Sequence, residues 1–457
     1  MNRYTVYLGF CPHYEAGRIS TIIKNALVTV PLKKTISGKI VIKPNLVMAH
    51  PRVATESYTR SEVIDGILHF LQDYRPTIDK IDIVEKSGLG VTTSTMFRHA
   101  GYKSLAKRYG VHLIAMEEER HARIVLERSR LHSHIKVARQ MAERDFLIFA
   151  PKLKTNVLSH GFSGALKLNI GSIDSRERLF QHHHHLPDKI VDLLEAADPD
   201  LIVTDGVRLA FGGNQMTQHA IDVGVIVVAS DAVAHDMVCA KMLGLDPDRI
   251  EHIDKARERG YGPSSFDAIE IKGDFSIEQA QKITAPLDYG YMPVDKYPCP
   301  LDIRSGSPYC VGGCHGIFLD WLHMIGDRRP GLIKKLPDLT VLIGRVTEQI
   351  TTKRVLLLGD CACASPQIVG DSIKRIAGCP PSHKKIVWDM LVKYFIFNPL
   401  VRPSLIFDSY ILYPIKKFKG WLINFSSKRL LLTQQSTQSE HQIHVGTDKT
   451  PQLENFR

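Results

Sequence analysis

Lys39–Lys43 reads KIVIK, Thr59–Leu71 spaces its apolar residues three and four apart, and Lys80–Val84 reads KIDIV. An apolar strand, an amphipathic helix and a second apolar strand make a β-α-β unit, whose crossover leaves the two strands parallel. The alternation continues through DFLIFA (Asp145–Ala150), DLIVT (Asp200–Thr204), GVIVVA (Gly224–Ala229) and AIEIK (Ala268–Lys272). Helical periodicity fills the intervals at Thr95–Tyr109, Pro187–Ala196 and Ala232–Leu243. Strands this uniformly apolar are covered on both sides, so residues 1–285 are expected to form an α/β domain, a mostly parallel sheet with helices on both faces.

Beyond the Pro-rich boundary Tyr297-Pro298-Cys299-Pro300, LTVLI (Leu339–Ile343) and RVLLL (Arg354–Leu358) predict two more buried strands, with Ser365–Ile376 helical. Residues 300–381 are therefore read as a smaller, cysteine-rich α/β domain. Residues 382–432 form a basic, aromatic, helical extension that Pro399, Pro403 and Pro414 are expected to break, and the polar tail 433–457 is expected to be disordered. The 457 residues include 44% hydrophobic and 23% charged side chains, which excludes an intrinsically disordered chain. No apolar run approaches the roughly 18 residues of a transmembrane helix, and Tyr7–Cys11 is too short for the core of a signal peptide. The expectation is a cytoplasmic protein whose eight cysteines are reduced thiols or metal ligands.

The formal charge is +11, but nine Lys or Arg against two Asp between Pro380 and Leu432 account for seven of it. Elsewhere the placement of the charges says more than their number. Ligands of open α/β sheets bind outside the carboxyl ends of the strands, and here those ends run into Lys43-Pro44-Asn45, Glu85-Lys86-Ser87, Pro151-Lys152-Leu153-Lys154, Asp205-Gly206 and Ser230-Asp231. Lys43, Lys152, Lys154 and Lys167 together suit a phosphate or carboxylate. Asp205, Asp231 and Asp236 suit a cation or general-base chemistry. The small-residue run Gly161–Gly171 would let the backbone approach a ligand closely, yet it matches neither a Walker loop nor a dinucleotide fingerprint.

The ordered segments KPN, PKLKT, SGALKLNIG, DLIVTDG and ASDAVAHD, between Ser37 and Gly273, resemble the family called domain of unknown function 362. The resemblance implies functional positions at Lys43, Asn45, Lys152, Lys154, Lys167, Asn169, Asp205, Asp231 and Asp236. It also implies iron–sulfur cysteines beside the domain, as in many relatives. Asn156 stands where the PKLKT segment is often followed by His, and Leu168 interrupts a usual Lys-Asn pair.

Five cysteines fall in the C-terminal part: Cys310 and Cys314 in a Gly-rich loop, Cys361 and Cys363 after a strand, and Cys379 ahead of two prolines. Four thiolates from separate loops, set among glycines and a Cys-Pro pair, suit a four-iron, four-sulfur cluster, with Cys310, Cys314, Cys361 and Cys379 as ligands and Cys363 spare. A single structural zinc is the alternative, although zinc ribbons use tight CxxC pairs that are absent here. His182–His185 reads as a polar loop and secondarily as a proton-transfer site, and Glu117–Glu119 as a solvated charge run. The extension is read as helices packing on the cysteine domain, with peripheral membrane contact through 384–425 as the alternative and no nucleic acid. These features predict an iron–sulfur enzyme acting on an anionic small molecule. The competing reading is an electron carrier or redox adaptor that docks on a redox partner protein by its basic extension.

Overall fold

The computed structural model describes residues 4–425 except 89, 160–161, 174–176, 179–184, 214–215, 217–218 and 365–366. Gly161, His182–His184 and the tail 433–457 thus lie outside the described residues. The main sheet has nine strands: β1 (Tyr4–Phe10), β2 (Gly38–Pro44), β3 (Ile78–Glu85), β4 (His112–Ala115), β5 (Phe146–Ala150), β6 (Lys152–Lys154), β7 (Leu201–Phe211), β8 (His219–Ala229) and β9 (Ile269–Gly273). Their order is β9-β1-β8-β7-β5-β2-β3-β4, with β6 paired to β7. Pairing is parallel throughout except that β8 runs antiparallel to both β1 and β7. Helices α1 (Ala16–Ala26) and α2 (Ser61–Leu71) cover one face, and α3 (Leu186–Ala196) and α4 (Ala232–Met242) the other. Each face closes its own apolar core, so the α/β expectation is met.

Two local expectations fail for identifiable reasons, and one strand is not anticipated. Tyr4–Phe10 is a sheet strand, central enough to pair on both sides. Thr95–Tyr109 is two helices, Thr93–His99 and Tyr102–Tyr109, because Gly101 between them adopts φ 80°. Strand β7 does not stop at Thr204 but runs to Phe211, since its hairpin with β8 continues to His219 around an irregularity at Asp222–Val225, where Gly224 has φ 76°. Asp205 therefore sits inside a strand.

A second, wholly parallel sheet is built from β10 (Asp302–Ser305), β11 (Thr340–Val346), β12 (Arg354–Ala364) and β13 (Ser372–Ile376), in that order. Within the predicted helix over Ser365–Ile376 the described residues instead form strands, Ile368–Val369 paired with Ile350–Thr351 and Ser372–Ile376 in this sheet. Ile368, Val369, Ile373 and Ile376 are β-branched, and Gly370 interrupts them, which suits short extended pieces better than a helix. Helix α5 (Cys314–Arg328) and helix α6 (His383–Tyr394) pack on this sheet.

After α6 the chain turns back onto the main domain. Residues 403–425 are helical throughout, through a π turn at Asp408–Leu412. That wider turn admits Pro414, whose missing N–H would otherwise break the helix. Asp408 fastens the segment by accepting from Thr92 N (2.7 Å) and Thr92 Oγ1 (2.6 Å). Glu118 accepts from Lys416 Nζ at 2.8 Å, and Asn424 bridges His121 N and Glu119 O. Glu117 is also occupied, holding Thr93 N and Oγ1 at 2.6 and 2.8 Å. The run Glu117–Glu119 is a clasp and not a solvated surface. Among the described residues no helix is long and apolar enough to cross a membrane.

Asp408→Ala should strand a buried N–H and cost about 1–3 kcal/mol. Amide exchange across 403–425 should accelerate while the main sheet keeps its protection; unchanged exchange would show that Asp408 is not the fastener.

Candidate functional site

Two cavities meet at α5. The first, about 310 Å³, lies beyond the carboxyl ends of β2 and β3. It is lined by Lys43, Asn45, Glu85, Lys86, Lys154, Lys167 and Arg178, by Ile317 of α5, and by His383, Lys384, Tyr413 and Lys417 of the extension. Seven cationic side chains face one carboxylate there, so an anion is the favoured guest. Leu158, Leu168 and Ile170 supply apolar wall.

The lysines differ in how their charge is met. Lys43 is fully buried and its Nζ lies 2.5 Å from Glu85 Oε2 and 2.9 Å from Pro44 O. Burial pushes its pKa down and Glu85 pushes it back up. A Cβ on Gly171 would stand 2.6 Å from Lys43 Nζ, so only glycine leaves room for this pair. Lys154 is buried, and burial, with Lys152 adding to it and Asp320 opposing, lowers its pKa to about 8. Lys167 donates to Ser159 Oγ at 3.2 Å; burial and then Lys154 lower its pKa to about 7. Asp320 of α5, completely buried, also accepts from His383 Nε2 at 2.9 Å.

The structure thus brings Lys43, Asn45, Lys154 and Lys167 together and separates the remaining candidates from them. Lys152 pairs with Asp205 at 3.0 Å, both fully buried, and Tyr14 joins the two. The other Asp205 oxygen accepts from Arg60 N, at the start of α2. Asn169 donates to Ala197 O and stays outside the cavity lining. Asp231 caps α4 through Val233 N and Ala234 N. Because β8 is antiparallel, its carboxyl end lies beside Ile202 at the start of β7, on the edge away from the lysines. Asp236 accepts from Ala165 N and Leu166 N and pairs with His235 at 2.7 Å. Sequence reasoning missed Arg178, His383 and Lys417, which come from segments far apart in the chain, and it placed Lys86 at a ligand-side strand end without choosing it for the site.

The second cavity, also about 310 Å³, is lined by Cys310, Cys314, Cys361 and Cys379 with Ser307, Pro308, His315, Ile343, Gly344 and Arg345. Cys361 reaches it through a bulge: β11 and β12 pair Ile343 with Leu358 and then Arg345 with Cys363, leaving 359–362 opposite Gly344 alone. Arg375 holds that bulge open by donating to the carbonyls of Gly359 (2.8 Å), Asp360 (2.9 Å) and Ala362 (3.0 Å). Asp360 ties it to the Cys379 loop, its N–H donating to Gly378 O and its carboxylate accepting from Gly378 N at 2.8 Å. A Cβ on Gly359 would meet Cys314 Sγ at 2.7 Å. Cys363 is exposed, in the ladder opposite Arg345, and outside the lining. Burial and then the neighbouring thiols raise Cys310 to about 11 and Cys314 to about 12. Among the described residues no three His, Cys, Asp or Glu converge as they would on one ion. Cys310, Cys314, Cys361 and Cys379 are the residues here that could hold a cluster or a zinc ion.

Glu85→Gln should leave the Lys43 ammonium buried without its counter-charge and destabilise the fold by about 3–5 kcal/mol in urea titrations. Sulfate, a dianion throughout the range, should bind the cavity tightly below about pH 7, where Lys154 and Lys167 are both protonated, and lose affinity as pH rises through about 7 to 8. Calorimetry in buffers of differing ionisation enthalpy should record proton uptake above pH 7. A flat profile would place the anion elsewhere.

A thylakoid-associated protein from a Synechocystis strain is 22% identical over 291 residues, which are 61% of this chain and 88% of that one. Among solved structures, the lactate racemase apoprotein from Thermoanaerobacterium thermosaccharolyticum superposes with a TM-score of 0.34 at 12% identity, over 78% of this chain and 70% of that one. A protein from Thermotoga maritima gives 0.34 at 13% identity, over 73% and 72%. Residues 40–241, the segment that carries the KPN, PKLKT and SGALKLNIG motifs, match the family described as Domain of unknown function (DUF362).

Proposed function

We propose that this chain is an iron–sulfur protein that binds an anionic small molecule in the lysine-lined cavity. One observation carries the reading. Helix α5 begins at Cys314 in the cysteine cavity and reaches the anion cavity at Ile317, about 4.5 Å further along its axis. Two sites so close act as one centre. A cavity of about 310 Å³ falls at the lower end of the range for small-molecule sites. Cys310, Cys314, Cys361 and Cys379 would hold the cluster, which when bound supplies electrons or an open coordination position.

The chain's own groups have separable parts in this reading. Lys154 and Lys167 hold the anion at the cavity wall, and the Lys43–Glu85 pair fixes the edge on which they stand. Proton handling falls to Lys167 at Nζ and to His383 at the imidazole that Asp320 orients, because these groups face the cavity. Asp205, Asp231 and Asp236, the sequence-based candidates for that part, are committed to backbone and ion-pair partners away from it. The extension closes one side with Tyr413, Lys417 and Lys384 and limits the entry of water.

Anaerobically purified protein should contain iron and acid-labile sulfide in about equal amounts, near four of each per chain. Cys314→Ser should lose most of both. The double variant Lys154→Ala, Lys167→Ala should keep the iron and lose sulfate binding. One zinc per chain without sulfide would overturn the cluster, and undiminished sulfate binding by the lysine variant would overturn the anion site.

A further inference from the structure

The mechanism above uses only the inner side of the extension. Thirteen of the twenty large hydrophobic side chains exposed among the described residues lie between Trp388 and Phe425, so the exposure is concentrated and not scattered. Along 403–425 the inward positions are Leu405, Asp408, Lys416 and Gly420, which are buried or joined to the main domain. The outward positions Ile411, Ile415, Phe418 and Phe425 are 49%, 59%, 59% and 52% exposed, and Trp421 is 54% exposed. Steps of four, three and seven keep the first four on one stripe of a helix. Phe418, Trp421 and Phe425 stack in succession, with ring centroids 5.7 and 5.1 Å apart.

The charges beside this stripe select its partner. Lys419, 61% exposed and 3.8 Å from Glu118 Oε2, and Lys417 flank it, in a segment whose excess of seven positive charges sets it apart from the rest of the chain. A stripe of Ile, Phe and Trp bordered by lysines matches the polarity of a lipid interface, with rings and aliphatic chains below the headgroups and ammonium groups among the phosphates. We infer that the outward face of the helix at 403–425 docks on the surface of an anionic lipid bilayer, inserting Ile411, Ile415, Phe418, Trp421 and Phe425 while Lys417 and Lys419 meet lipid phosphates. The helix lies in the interface and does not cross it. Apart from Lys417, which also borders the anion cavity, this surface is independent of what fills either cavity.

The chain has three tryptophans, of which Trp321 is buried and Trp388 and Trp421 are exposed. In the full-length protein carrying Trp388→Phe, Trp421 reports the helix face against the fixed signal of Trp321. Adding vesicles of equal parts phosphatidylcholine and phosphatidylglycerol should shift emission to the blue and sediment the protein. Phosphatidylcholine alone should bind at least about tenfold more weakly, given roughly 1 kcal/mol per interfacial lysine. The double variant Ile415→Asp, Phe418→Asp changes only exposed positions and should keep the thermal midpoint while losing sedimentation. Lys419→Gln should weaken binding about fivefold. Equal binding to both vesicle types, or an unchanged Trp421 spectrum on anionic vesicles, overturns the inference. So does a dimer in vesicle-free solution that the aspartate variant dissociates, because the stripe would then belong to a second copy of the chain.

Discussion

An ammonium group taken out of water must find a counter-charge inside the protein, and much of this structure answers to that requirement. Moving such an ion into a protein interior costs several kcal/mol even after relaxation. Lys43 and Lys152 meet the cost with carboxylates at 2.5 and 3.0 Å. Those carboxylates in turn order the backbone around them: Glu85 accepts from Lys86 N, and Asp205 from Arg60 N just ahead of α2. The pairs therefore lock neighbouring strand ends and helix starts into one rigid edge. Lys154 and Lys167 both feel Asp320 of α5 as a nearby negative charge, and both line the cavity. Closed pairs build the wall, and the lysines that line the cavity beside them make it a site.

The same contrast explains which features could be read from the sequence. KIVIK, KIDIV, DFLIFA and AIEIK declared themselves because a strand buried on both faces has no polar alternation to confuse it. The lysines at the ends of β2 and β6 followed from the geometry of parallel sheets. The aspartates did not follow. Asp231 stands at the end of an antiparallel strand, and nothing local in GVIVVASD distinguishes that direction from a parallel one. Asp205 lies within a long hairpin that its composition does not announce. Arg178, His383 and Lys417 were out of reach for another reason: they converge from three separate segments, and convergence of that kind is a tertiary fact. Ser365–Ile376 looked helical by spacing, yet Ile368–Val369 pairs with Ile350–Thr351 and Ser372–Ile376 pairs with β12.

In the cysteine unit, precise placement depends on a strand that departs from regularity. Four residues of β12 stand opposite one of β11, and the surplus carries Cys361 out of the ladder toward three thiols from other loops. A bulge of that size exposes carbonyl groups that a sheet would otherwise pair. The Arg375 guanidinium takes up three of them at once, as its planar fork of donors allows. The adjacent Asp360–Gly378 pair carries the same order into the Cys379 loop.

The extension wraps from the small domain back onto the large one, and that path bears on where this protein can be divided. By sheet topology a clean boundary lies after Pro381, with two complete sheets before it. A chain ending there would keep both sheets and all four cavity cysteines, but it would lose α6, whose Ile386 and Met390 belong to the core of the smaller sheet. It would also lose His383, Lys384, Tyr413 and Lys417, and the anion cavity would become an open trough. Folding units and functional units are therefore not coextensive here. Relatives that share both sheets but differ after this point would be expected to differ in what they bind, even with every strand-end lysine retained.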